Sequence, residues 1–347
     1  MNNIKIINKS NLLHNLKIVQ KCNKNICVMV KADAYGHNYK TIINELKNKV
    51  QWFGVANEQE ALNVKKIVPY SNVLIVGKLT DYYRIIKNNI SFTIDSLNEL
   101  NKVLEVCKKN NFSAKIHIAI NTGMNRIGLK SIKEFKSLLS IFEQNEKHII
   151  LEGIFTHCYD ADCKNTYFYE QMEDFYQYVK MIKNKNVLVH IGGSYVLQHK
   201  LPEYINMVRI GYFIYGYGKT GLKPVMQINS KIIKIIYCKK GEYVGYGNKT
   251  KLTKDTTIAI VPIGYADGLS RNLSNNKYSM KINNENAYVV GNICMDMCML
   301  DVTNLFAKVG DEVICYNNAK TIAKIVNTSP YEILTNFQKL RGKTVVK

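Results

Sequence analysis

Eight apolar runs recur along the first two thirds of this 347-residue chain, separated by segments with helical spacing. They are "ICVMVKA" from position 26, "FGVA" from 53, "NVLIVG" from 72, "SFTI" from 91, "AKIHIAIN" from 114, "IILEGIFTH" from 149, "VLVHIGGS" from 187 and "MVRIGYFIYG" from 207. Short apolar runs with turn residues beyond them read as buried strands, while "EQEALNVKKIV", "SLNELNKVLEVCKKN" and "SIKEFKSLLSIFEQ" between them repeat their apolar residues at helical intervals. Strands alternating with helices predict parallel pairing, and eight such units over roughly 200 residues predict a closed (β/α)8 barrel. After about residue 222 the pattern changes to β-rich runs broken by turns: "SKIIKIIYCKKGEYVGYG", "TTIAIVPIGYADG", "NAYVVGNICMDMCMLDVT" and "GDEVICY". The expected fold is therefore α/β: a TIM-type barrel over residues 1–222, then a mostly β C-terminal domain over 223–347. The first few residues are candidates to pack with that second domain.

Several function classes are disfavoured. No stretch of 18 apolar residues occurs, and the start "MNNIKIINKS" has neither a long apolar segment nor a small-residue cleavage site, so a soluble cytoplasmic protein without a membrane partner is expected. Nine cysteines are an odd number and form no Cys-x-x-Cys pair, which argues for reduced thiols and against a metal site. The net charge of +21 would suit nucleic acid if the cations were clustered. Here the lysines are scattered and no nucleic-acid-binding motif accompanies them, so a solvated basic surface is the better reading.

Barrels of this kind carry their chemistry at the C-terminal ends of the strands. Lys31 ends the first run, Arg126 follows the fifth in "NTGMNRIGL", His157 ends the sixth, Ser194 ends the seventh, and Arg209, Gly211 and Tyr212 lie on the eighth. Taken singly, each has a plain structural explanation: a solvated lysine, a surface ion pair, a satisfied core histidine, a helix cap. Their convergence on one face is what distinguishes them. "GGS" before a helical turn and "RIGY" offer free N–H groups, a hydroxyl and close backbone approach, the makings of a phosphate cradle. A cradle opposite an amine suggests pyridoxal 5′-phosphate, whose aldehyde takes a lysine as a Schiff base.

The segments "VMVKADAYGHN", "NTGMNRIGL", "FTH", "MVRIGYFIYG", "PIGYADGLSR" and "VGNICMDM" resemble, in order and across nearly the whole chain, the signature segments of the alanine racemase family. That resemblance implies a pyridoxal-phosphate isomerase converting L-alanine to D-alanine and back, and so feeding peptidoglycan synthesis. Lys31 would hold the cofactor and act as base on one face of the substrate Cα, with Tyr265 the second base on the other. A tyrosine near pKa ~10 needs neighbouring positive charge to serve as a base at neutral pH. In the family this tyrosine reaches the cofactor of the other subunit, which implies a head-to-tail homodimer with shared active sites.

By the same resemblance Arg209 faces the pyridine nitrogen, His157 hydrogen-bonds and orients Arg209, and Tyr35, Ser194, Gly211 and Tyr212 bind the phosphate. Arg126 lies beside the cofactor's phenolic oxygen and the substrate carboxylate, which the Met295 N–H also binds. Tyr278 resembles a substrate-access tyrosine. Two positions depart from the family pattern. Ala119 stands where many members have a carbamylated lysine that positions the arginine, leaving Asn121, His117 or a bound anion for that task, and Lys339 stands where a phosphate-contacting tyrosine is common. Racemisation of another small amino acid, serine for instance, is the alternative in the same fold. A non-catalytic cofactor carrier would have no use for the second domain or for Tyr265.

Overall fold

The computed structural model describes residues 3–161 and 166–347, which group into two compact units. One holds His14–Lys31 and Ile42–Leu222; the other holds Met1–Leu13, Ala32–Thr41 and Lys223–Lys347. The second unit begins with a strand, β1 (Ile4–Ile7), and the chain then enters the first.

The first unit is a closed barrel of eight parallel strands: β2 (Asn25–Met29), β3 (Trp52–Val55), β4 (Asn72–Ile75), β5 (Ser91–Ile94), β6 (Ala114–Ala119), β7 (Ile149–His157), β8 (Leu188–Gly192) and β9 (Met207–Ile210). Each pairs with its chain neighbour, and β9 closes on β2 through the register Cys27↔Arg209. All eight predicted runs are strands of this barrel. Their unbroken apolar character has a simple cause: helices cover the outside and side chains fill the inside, so β3 and β5 are buried at every position. The connecting helices start where short polar signals place them. Asn57, Ser96 and Ser131 each accept the N–H three residues on, from Glu60, Glu99 and Glu134, satisfying a donor that the first helical turn leaves orphaned.

In the second unit a nine-stranded sheet runs β11-β12-β15-β14-β13-β16-β10-β1-β17. Its further members are β10 (Met226–Lys231), β11 (Lys234–Cys238), β12 (Thr256–Val261), β13 (Ser279–Ile282), β14 (Glu285–Val289), β15 (Cys298–Asp301), β16 (Glu312–Tyr316) and β17 (Lys343–Val346). β1 sits between β10, antiparallel, and β17, parallel. Two helices that the sequence reading did not mark, Ala319–Val326 and Pro330–Asn336, precede β17; Asn318 and Ser329 cap them.

Residues 32–41 also group with this second unit, and they contain its least ordinary backbone. Ala32, Asp33, Ala34 and Tyr35 have φ of 50°, 54°, 54° and 54°, followed by Gly36 at 77°, so the chain leaves Lys31 in a left-handed helical turn. Each such non-glycine residue costs on the order of 1–2 kcal/mol. Local bonds hold the turn: Gly36 N–H donates to Ala32 O at 2.9 Å and His37 N–H to Ala34 O at 3.1 Å. Asp33 Oδ1 accepts the Tyr39 N–H at 2.9 Å, and Lys5 lies 3.9 Å from its other oxygen. In a right-handed helix Ala→Gly loses about 0.5–1 kcal/mol. At Ala32 the sign should differ: Ala32→Gly is expected to leave urea stability unchanged or raised, because glycine removes the left-handed penalty. A loss of the usual helical size would show that the turn is unstrained.

Candidate active site

The barrel side chains singled out by the sequence do meet, though not all as expected. Lys31 follows β2 and is half-buried. Burial lowers its amine pKa first, and the Arg126 and Arg209 cations lower it further while Glu60 opposes them. The same charges act on His157 at the end of β7: burial, then Arg209, Arg126 and Lys31, bring it down to about 3. A neutral imidazole and an amine of lowered pKa thus share one cationic field.

Arg209 is 4% exposed. The hydrogen bond that the resemblance assigns to His157 is made instead by His190: Arg209 Nη1 donates to His190 Nδ1 at 2.5 Å, while Nη2 donates to Thr156 O at 3.1 Å. The guanidinium also lies 4.2 Å from the centre of the Phe155 ring. Barrel register explains the exchange of histidines. His157, Gly192 and Arg209 form one row across β7, β8 and β9, and His190 is two residues earlier on the central strand, hence on the same face. A Cβ on Gly192 would come within 2.3 Å of Arg209 Nη2 and 2.5 Å of His157 Nδ1, so only glycine leaves space for both. Among the described residues the His157 ring has no hydrogen-bond partner.

His190 opens a chain that sequence reasoning missed. His190 Nε2 is 2.7 Å from His117 Nδ1, and His117 Nε2 is 3.1 Å from Glu152 Oε2, which also receives the Ser91 hydroxyl. Arginine has no acceptor atom, so His190 Nδ1 must accept from it. His190 then carries its proton on Nε2 and donates to His117, which donates in turn to Glu152. Burial pushes both imidazoles below their ordinary value, and His117 with Ser91 helps hold the Glu152 carboxyl down against its own desolvation. A buried arginine is thereby linked to a carboxylate through two neutral imidazoles. Arg209, lowered by burial to about 10, stays cationic at neutral pH.

These histidines give a pH prediction. His37 and His157 titrate at about 3 in the folded chain against 6.5 unfolded, so below ~6.5 the unfolded state binds more protons and stability falls with pH. At pH 5 each such group costs about 2 kcal/mol relative to neutral pH. The urea midpoint should drop steeply between pH 7 and pH 5; a flat midpoint would contradict the neutral buried assignment.

Ser194 is buried, and its Oγ accepts the Gly211 and Phe213 N–H groups, each at 3.3 Å, tying the β8 loop to the turn after β9. Arg126 is exposed, and no hydrogen bond or ion pair reaches its guanidinium among the described residues. Its loop is nevertheless anchored. Asn121 Oδ1 accepts the Gly123 and Asn125 N–H groups at 3.1 and 3.0 Å, and Asp95, ion-paired with Lys78, accepts the Gly128 N–H at 2.8 Å. Asn121 therefore holds the Arg126 loop where Ala119 offers no side chain to do so, whereas His117 is committed to His190 and Glu152. Among the described residues no group of three or more His, Cys, Asp or Glu side chains is placed to hold a metal ion.

Tyr35, Tyr265 and Met295 belong to the second unit. Tyr35 ends the left-handed turn, its ring 6.0 Å from that of Tyr331. Tyr265 opens a short 3-10 turn and is 42% exposed. Its N–H donates to Cys294 O at 3.1 Å, and Ala266 N–H donates to Met295 O at 3.0 Å, so the Tyr265 and Met295 turns are pressed together. A Cβ on Gly264 would lie 2.3 Å from both of those carbonyl oxygens. Met295 is 53% exposed, and its own N–H has no acceptor among the described residues. Tyr278 does not line an access route within this unit: it is buried, and its hydroxyl donates to Cys315 O at 3.0 Å.

A closed parallel barrel with a half-buried strand-end lysine in the field of buried Arg209 and exposed Arg126, in a chain that also builds a separate β unit, is the architecture of a barrel enzyme with a reactive amine. The barrel portion, residues 7–219, matches the family model for the alanine racemase N-terminal domain, and residues 225–345 match that for the C-terminal domain. The chain belongs to the alanine racemase family. It is 34% identical to alanine racemase 1 of Clostridium acetobutylicum over 98% of this chain and 94% of that one. Among solved structures it resembles the alanine racemase of Clostridium difficile 630, with a TM-score of 0.93 and 31% identity over 100% of this chain and 96% of the other. It also resembles that of Bartonella henselae with covalently bound pyridoxal phosphate, with a TM-score of 0.89 and 25% identity over the whole of both chains.

Proposed function

We propose that this chain interconverts L- and D-alanine with pyridoxal 5′-phosphate bound in the barrel, providing D-alanine for peptidoglycan. The observation that carries the reading is Lys31, a half-buried amine at a barrel strand end whose pKa is lowered by burial and by Arg126 and Arg209. The donor set fits the cofactor. Gly192, lacking a Cβ, lets Arg209 and His157 lie side by side at the strand ends, the Ser194 hydroxyl sits with the Gly211 N–H, and Lys31 supplies the amine; Tyr35 and Tyr212 complete the set by resemblance. When bound, pyridoxal phosphate supplies an aldehyde that joins the substrate amine and a ring that withdraws electrons from Cα.

The residues of this chain do the rest. Lys31 holds the cofactor and then takes or returns the Cα proton at Nζ. Arg209, always protonated, offers a ring nitrogen only donors and gives it no proton. His190 holds Arg209 in place, and His157 stays neutral beside it. Arg126 and the Met295 N–H receive the substrate carboxylate. Tyr265 moves the proton on the opposite face. The exposure of Tyr265 and Met295 supports a homodimer in which the second unit of one chain completes the barrel site of its partner. Eight free thiols among the described residues support a reducing, cytoplasmic setting.

The test is proton NMR with chiral analysis of L-alanine, and in parallel L-serine, incubated with the purified protein and pyridoxal phosphate in D2O. Cα-deuterated D-alanine should appear, and faster than D-serine. Faster D-serine would overturn the substrate, and absence of exchange on both would overturn the activity.

A further inference from the structure

Arg341 lies between the short turn Phe337–Lys339 and β17, 74 positions from one partner and 45 from another. Its Nε donates to Asp267 Oδ1 at 2.9 Å and its Nη2 to Asp267 Oδ2 at 2.9 Å, while Nη1 reaches Asp296 Oδ1 at 2.7 Å. Its backbone N–H adds a bond to Asp267 Oδ1 at 3.2 Å. Asp267 is 0% exposed and also accepts the Gly264 N–H at 3.1 Å, so the bidentate pair sits where geometry is most constraining. Asp267 is two residues after Tyr265, and Asp296 is one after Met295. One guanidinium therefore spans the two turns that carry the proposed second base and the proposed carboxylate donor.

The pairing has an electrostatic side as well. Asp296 is half exposed and adjoins an N–H that is to receive an anion; without a partner its charge would oppose a carboxylate there. We propose that Arg341 is a positioning residue for substrate binding: it fixes the Tyr265 turn through Asp267 and neutralises Asp296, so that the Met295 N–H receives the substrate carboxylate. This rests on the racemase reading given above. A chain-end staple without function would need only the Asp267 half of the contact.

Arg341→Lys separates the two roles, because one ammonium can stay on buried Asp267 but cannot bridge both carboxylates. With the bound-cofactor absorbance unchanged, KM for both alanine enantiomers and the dissociation constant for propionate, measured by calorimetry on the cofactor-loaded protein, should each rise about tenfold, as expected for one uncompensated charge a few ångströms away. Arg341→Met should raise both at least as far. Adding Asp296→Asn to Arg341→Lys should restore most of the loss in KM and in propionate affinity, which a purely structural role would not predict. The proposal is overturned if Arg341→Lys leaves both constants unchanged in a protein whose wild type racemises alanine, or if Asp296→Asn gives no recovery. A wild type that exchanges no Cα proton overturns the racemase reading, and this proposal with it.

Discussion

Replacing Lys31 with alanine should abolish racemisation, a loss of roughly 10⁴-fold or more, since the position serves as both covalent anchor and proton carrier. The barrel itself should survive. Lys31 follows β2 rather than lying within it, and no hydrogen bond of its side chain to a described residue would be lost. The absorbance of covalently held cofactor should vanish, and pyridoxal phosphate should be removed by gel filtration. Borohydride reduction followed by peptide mass analysis should place the cofactor on Lys31 in the wild type and nowhere in the variant. Retention of a covalent cofactor, or of more than a trace of activity, would move the anchor elsewhere.

Tyr265→Phe should have the second largest effect, keeping the fold and the bound cofactor while lowering racemisation about 10²–10⁴-fold. The exposed ring on its short turn has no hydroxyl hydrogen bond to a described residue to lose, so stability should barely change. In D2O the two enantiomers should behave differently: the one whose proton faces Lys31 should still exchange at Cα, and the other should not. Equal exchange of both would contradict two bases on opposite faces. If the sites are shared between subunits, mixing Lys31→Ala with Tyr265→Phe should restore up to roughly a quarter of wild-type activity, because half the dimers are mixed and each has one intact pair. No recovery after subunit exchange would argue for sites built within one chain.

Much of this is legible in the sequence. Strand positions came from apolar runs whose length and spacing are properties of the local chain, and a parallel sheet buried on both faces makes those runs continuous. The same runs locate Lys31 and His157 at strand ends, Arg209 on a strand, and Ser194 and Arg126 in the segments that follow strands, because a barrel strand's last residue is identifiable from where its apolar run stops. The left-handed turn after Lys31 was only half visible: "KADAY" breaks the strand period, but nothing in two alanines, an aspartate and a tyrosine announces positive φ.

Other features depend on residues far apart in the chain. His190 lies in one of the predicted strands yet gives no sign of its role, because a histidine inside an apolar run reads as core; only the lateral register of β7, β8 and β9 sets it beside Arg209. Glu152, His117 and Ser91 joined it for the same reason. Arg341 carried no local signal at all, since its partners are Asp267 and Asp296 and the bonds form only when the nine-stranded sheet brings the turns together. The sequence by itself determined the barrel, the β unit, the family and most of the chemistry-bearing positions, because periodicity and strand ends are encoded over a few residues. Which histidine holds Arg209, what anchors the Arg126 loop and what ties Tyr265 to Met295 were decided by tertiary structure alone, because a hydrogen bond is set by distances across strands that no local pattern records.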